Sequence, residues 1–184
     1  AEPGFVEQAR RAADFVLVAQ QRSHEKSVLS ARLFPDARLG ISAGLDPWIR
    51  LWNVETGMEF DTFPTEEQVL GLALSADGTS LYVLHMDYLE VWDLLKRKSV
   101  RRVERPKGEK VVRIVSSRTC VALAIYGERP NRNALVLVDP ATWKDILSIP
   151  VKEVLSEVDC LALSPDGKMV AWTQHESKIR TWGA

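Results

Sequence analysis

The chain has little of what catalysis and metal chemistry are built from. It holds three histidines (His24, His85, His175) and two cysteines (Cys120, Cys160) in 184 residues. Their spacing matches no zinc-ligand pattern. Both cysteines lie in apolar runs, Thr-Cys-Val-Ala-Leu-Ala and Val-Asp-Cys-Leu-Ala-Leu, so they are expected as small buried hydrophobes rather than disulfide partners. No uninterrupted apolar stretch approaches a membrane span, and the N-terminus lacks the basic-then-apolar layout of a signal peptide. A reducing, cytoplasmic setting is the expectation. Neither sign of charge dominates, with 24 basic and 25 acidic residues and a net charge of -1. That balance argues against a polyanion binder driven by bulk electrostatics and leaves room for a local patch. No glycine-rich loop follows a strand and opens a helix, so a phosphate cradle of that kind is not indicated. The sequence implies no cofactor and no bound metal.

What the chain does have is short apolar runs at close, regular intervals. Between residues 25 and 64 they are Val28 to Phe34, Leu39 to Ala43, Trp48 to Trp52 and Met58 to Phe63. Pro35-Asp36-Ala37, Gly44-Leu45-Asp46-Pro47 and Glu55-Thr56-Gly57 separate them. A helix would need ten or more periodic residues, so these runs predict strands joined by hairpins, four to a small antiparallel sheet.

This stretch resembles a WD repeat, the blade unit of the WD40 β-propellers. The matching residues are Ile49-Arg50-Leu51-Trp52-Asn53, where the family ends on tryptophan-aspartate, with His24 upstream and the Phe34-Pro35-Asp36-Ala37 turn. The resemblance implies a hydrogen-bonded set of histidine, serine or threonine, aspartate and tryptophan that braces the blade. By position these are His24, Ser42, Asp46 and Trp52.

Three divergent copies follow, and the repeats are placed at 25–64, 66–103, 109–149 and 154–182. Trp52 and Trp92 stand forty residues apart, within the span of this repeat type. In the second copy Met86 takes the place of Asp46 and Asp87 falls one position late, so the bracing set looks incomplete. In the third, Val138 stands where tryptophan is expected, 142–149 supplies a fourth strand, and Trp143 packs between blades. In the fourth, Glu176 falls where the bracing aspartate is expected and His175 is displaced. Asp36, Asp77 and Asp166 follow the first strand of their copies; turn formation is the expected role rather than a shared calcium or sugar site. Residues 1–13 are read as an arm or short helix. Residues 14–21 are read as a strand that completes a blade, the fourth copy ending after its third strand.

The fold class expected is therefore all-β: a WD40-type β-propeller of four antiparallel four-stranded blades, part or half of a seven- or eight-bladed ring. Further blades would come from the same polypeptide, another chain or a second copy; a closed four-bladed ring is the alternative.

The functional expectation is a non-enzymatic scaffold or regulatory module that binds protein or peptide partners through propeller loops. The alternatives are a structural propeller fragment and a basic-patch binder of RNA or acidic lipid, with nucleic acid the weaker partner. Candidate contacts are Trp48, beside Pro47, and the basic run Lys96, Arg97 and Lys98. The Gly127 to Asn133 loop adds Arg129 and Arg132. Each has a plainer reading: packing against a neighbouring blade, a charged outer edge strand, and loop drift.

Overall fold

A computed structural model describes residues 23–127, 133–151, 160–174 and 178–183. The expected strand at 14–21 and arm at 1–13 lie outside these residues. The first sheet is β1 (Val28–Leu33), β2 (Leu39–Gly44), β3 (Trp48–Asn53) and β4 (Glu59–Pro64), in that spatial order. The second is β5 (Gly71–Leu74), β6 (Ser80–Leu84), β7 (Tyr88–Asp93) and β8 (Lys98–Glu104). The third is β9 (Glu109–Ser116), β10 (Val121–Gly127), β11 (Ala134–Val138) and β12 (Asp145–Pro150). The fourth, β13 (Leu161–Leu163), β14 (Met169–Gln174) and β15 (Lys178–Gly183), has three strands among the described residues. Every pairing is antiparallel between strands adjacent in sequence.

Turn chemistry sets these hairpins. Asp36, Asp77 and Asp166 each accept the backbone N–H two residues on, from Arg38, Thr79 and Lys168 at 3.0, 3.0 and 3.1 Å. Ser75 and Ser164 donate their hydroxyls to the same carboxylates at 2.6 Å. Gly78 and Gly167 follow at φ 71° and 74°, a conformation that costs glycine nothing. The first copy places Ala37 at φ 56° instead. The three carboxylates hold their own turns, as expected.

Alternation along each strand gives every blade two faces, and the blades stack on them. Ile41, Ala43, Ile49, Leu51 and Phe63 of the first blade meet Leu72, Leu74, Leu81, Val83 and Trp92 of the second. The second presents Tyr82, Leu84, Leu89 and Val91 to Ile114, Val121, Leu123 and Val138 of the third. The third presents Ala122, Ala124, Leu135 and Leu137 to Leu161, Val170 and Trp172 of the fourth. Burying one such Leu or Ile is worth about 1.5–3 kcal/mol, so the joints rather than the isolated sheets carry the stability.

Two expectations need correction. Trp143 is not in a strand. Asp139 accepts the N–H groups of Ala141 and Thr142, and its carbonyl accepts that of Trp143, so the chain turns there and Trp143 sits at φ 61° ahead of β12. Its buried ring meets Tyr82 of the second blade edge-on, centroids 5.3 Å apart. Cys160 is exposed, whereas Cys120 is buried. Leu161 points into the joint with the third blade, so its neighbour in an extended chain points away.

The outer strands share an irregularity. Phe60, Val100 and Ile146 are each an extra residue bulged out of register beside Trp52, Trp92 and Val138 respectively. Bulges at one position in three blades twist the outer edges and discourage edge-to-edge pairing. At the opposite edges β1 lies against β5, β5 against β9 and β9 against β13. The four inner strands face a cavity of about 650 Å³.

Candidate functional site

In the first blade the hairpin between β2 and β3 brings Asp46 beneath His24, and the strands bring Ser42 opposite Trp52. His24 Nδ1 lies 2.8 and 3.0 Å from the Asp46 carboxylate oxygens, and its Nε2 lies 2.8 Å from Ser42 Oγ. Trp52 Nε1 donates to the same hydroxyl at 2.7 Å, and Glu25 N–H donates to Asp46 at 2.9 Å. The chemistry fixes the direction of this chain. A carboxylate only accepts, so His24 donates through Nδ1; Ser42 receives the indole N–H and passes its own proton towards Nε2. Asp46 is 1% exposed. Burial opposes its ionisation, but the bonds from His24 and Glu25 N–H outweigh it and hold the carboxyl below its ordinary value.

The second blade is wired differently. Trp92 Nε1 donates to Glu90 Oε2 at 2.8 Å, and that oxygen lies 3.4 Å from Nε2 of the fully buried His85. His85 Nδ1 reaches the Gln68 carbonyl at 3.0 Å, which can only accept. Glu90 pairs with Val83, the register position at which Arg50 faces Ser42 in the first blade. Val83 cannot accept an indole N–H, and Glu90, two residues before the tryptophan, takes that role. Sequence reasoning missed His85 and Glu90. The signal was present: a histidine closing β6 and an acid on the tryptophan's own face of β7. In the fourth blade Glu176 and His175 lie outside the described residues, and the buried Trp172 Nε1 has no partner among those described.

The candidate contact residues are dispersed. Trp48 opens β3 opposite Pro64 and is half-buried. The basic run lies on the outermost strand of the second blade and the turn before it, and much of it is engaged within the chain. Lys96 pairs with Asp93 at 2.7 Å and Arg97 reaches Asp61 of the first blade at 3.1 Å. Arg101 donates to the Ala141 and Thr142 carbonyls of the third blade, and Arg105 to its Asp145 at 2.9 Å. Lys98 is exposed. Arg97, Arg101 and Arg105 clasp neighbouring blades, as cations on an outer edge strand can. Arg129 and Arg132 lie outside the described residues. Among those residues no cluster of three His, Cys, Asp or Glu could hold a metal, and no helix is long and apolar enough to cross a membrane.

No family model matches the chain. Human WD repeat-containing protein 36 is 29% identical over 76 residues, which are 41% of this chain and 8% of that protein. The p21-activated protein kinase-interacting protein 1-like of Xenopus laevis is 22% identical over 170 residues, covering 87% of this chain and 45% of the relative. This chain thus spans less than half the length of either. Among solved structures, that of U3-55K superposes with a TM-score of 0.69 at 16% identity, over 89% of this chain and 50% of that one. The WD40 repeats of RRP9 give 0.69 at 17% identity, over 88% and 49%. By fold, the chain is an array of β-propeller blades of the kind seen in these WD40 structures.

Proposed function

We propose that the chain is a non-enzymatic interaction module, a rigid run of blades that presents its loops to protein or peptide partners. The observation that carries this is the stacking itself. Three apolar joints fix the blades relative to one another, so loops from different blades form one surface with little ordering cost on binding. The Xenopus relative is named as a kinase-interacting protein, which supports such a role. Because the chain spans about half of the solved propellers, we also propose that further blades, from the same polypeptide, another chain or a second copy, cover its end faces. The internal clasping by Arg97, Arg101 and Arg105 weighs against a basic-patch binder of RNA or lipid.

The test is quantitative capture with wild type and with a loop variant carrying Trp48→Ser, Arg129→Ser and Arg132→Ser, followed by direct titration of each purified candidate. A partner that binds wild type and loses affinity to the folded variant supports the module. Equal binding to both would remove these loops from the account.

A further inference from the structure

We propose that Ser99, on the outermost strand of the second blade, is a phosphorylation site for a protein kinase that selects basic substrates. This goes beyond the interaction-module reading and stands independently of it.

Lys96-Arg97-Lys98 is the only run of three cations in the chain, and Ser99 follows it directly. Leu94 to Val103 holds five cations, adding Arg101 and Arg102, and no carboxylate. Kinases discriminate substrates by such charge patterns, and a cleft lined with carboxylates would take this one. Lys96 and Arg97 are 66% and 62% exposed, so their pairs with Asp93 and Asp61 are screened by solvent and readily exchanged for contacts in that cleft. Lys98, Ser99 and Val100 are exposed as well.

The backbone makes this serine reachable. β8 closes the sheet order, so it is hydrogen-bonded to β7 alone. Ser99 is the second residue of β8 and pairs with Trp92, and Val100 beside it is bulged out of register. A strand end held on one side and interrupted at the next residue can lift into an extended, kinase-bound form with the loss of few backbone bonds. Ser116 makes the contrast. It has Arg113 three residues before it, but its hydroxyl donates to the Leu74 carbonyl of the second blade.

In the reaction Ser99 Oγ attacks the γ-phosphorus of a nucleoside triphosphate, and the bond from that phosphorus to the bridging oxygen breaks. The hydroxyl proton passes to the kinase's catalytic carboxylate, and the nucleoside diphosphate leaves. The product carries a charge of about −1.5 to −2 two residues from Arg97, where it competes with Asp61 of the first blade for that guanidinium. Modification thus weakens one link between the first and second blades.

The experiment incubates the folded full chain with magnesium, ATP and a purified base-directed serine/threonine kinase, with an acid-directed kinase as the comparison. The expected result is stoichiometric phosphate, mapped to Ser99 by mass spectrometry and lost in Ser99→Ala. Lys96→Gln/Arg97→Gln should lower kcat/KM at Ser99 about tenfold or more. A second readout follows the product: in a phosphorus NMR titration the second proton should leave below its usual pH of about 6, because the cations favour the dianion. Arg97→Gln should move that midpoint back up. No phosphate at Ser99 would overturn the site, and a synthetic peptide of residues 94–103 run alongside shows whether the fold or the charge pattern is the cause. Faster modification of Ser99 by the acid-directed kinase would overturn the charge assignment. Either result leaves the interaction-module reading to its own test, because the loop variant above leaves Ser99 and its cations intact.

Discussion

Trp52 and Trp92 occupy the same register one blade apart, each paired across to the strand before it at Gly40 and Leu81. Each donates its indole N–H, Trp52 to Ser42 Oγ at 2.7 Å and Trp92 to Glu90 Oε2 at 2.8 Å. The demand is constant while the acceptor changes, because a buried N–H without a partner costs about 1–3 kcal/mol.

The first blade's chain of bonds should behave as one unit. Ser42→Ala leaves both His24 and Trp52 without their shared partner, and we expect a loss of about 2–3 kcal/mol. Trp52→Phe, which removes only the donor, should cost about 1 kcal/mol plus any lost packing. A double-mutant cycle by urea unfolding should show coupling between the two; strict additivity would mean that Ser42 does not link them.

Acidification should release the Asp46 contribution. Its folded value lies below the ordinary 3.8, so the stabilisation is present above the unfolded value and is lost as pH falls through the folded one. Stability of wild type should therefore drop below about pH 4 more steeply than that of Asp46→Asn. Parallel curves of melting temperature against pH would refute this.

In the second blade Glu90→Gln keeps an acceptor for Trp92 and should be mild. Glu90→Leu leaves Trp92 Nε1 without an acceptor and should lower stability by about 1–3 kcal/mol. Chemical denaturation separates the two variants; equal effects would show that the bonds to Glu90 contribute nothing.

The first turn holds a residue in a conformation that favours glycine. Ala37 lies at φ 56° where the second and fourth copies have Gly78 and Gly167. Ala37→Gly should raise stability by up to about 1 kcal/mol, relief of strain exceeding the added freedom of the unfolded chain. A fall in melting temperature would contradict it.

Much of the architecture was legible because hairpin chemistry and alternation are local. Pro35-Asp36, Asp77-Gly78 and Asp166-Gly167 marked turns that the structure places where they were expected. The His24, Ser42, Asp46 and Trp52 positions followed from the resemblance, and the structure brings them within hydrogen-bond distance. What stayed hidden depends on direction and on contacts distant in sequence. An apolar run does not say which alternate residue faces the joint, so Cys160 was misplaced. Trp143 looked strand-like because its turn is made by Asp139, four residues earlier.

The blades are stacked face to face through apolar joints. Phe63 of the first blade lies 5.9 Å from Trp92 of the second, and Tyr82 of the second lies 5.3 Å from Trp143 of the third, centroid to centroid. Selective aromatic labelling and a nuclear Overhauser experiment on the full chain read both contacts at once. Cross-peaks for Phe63–Trp92 and Tyr82–Trp143 are the predicted result; a well-dispersed spectrum that lacks both would contradict the stacking.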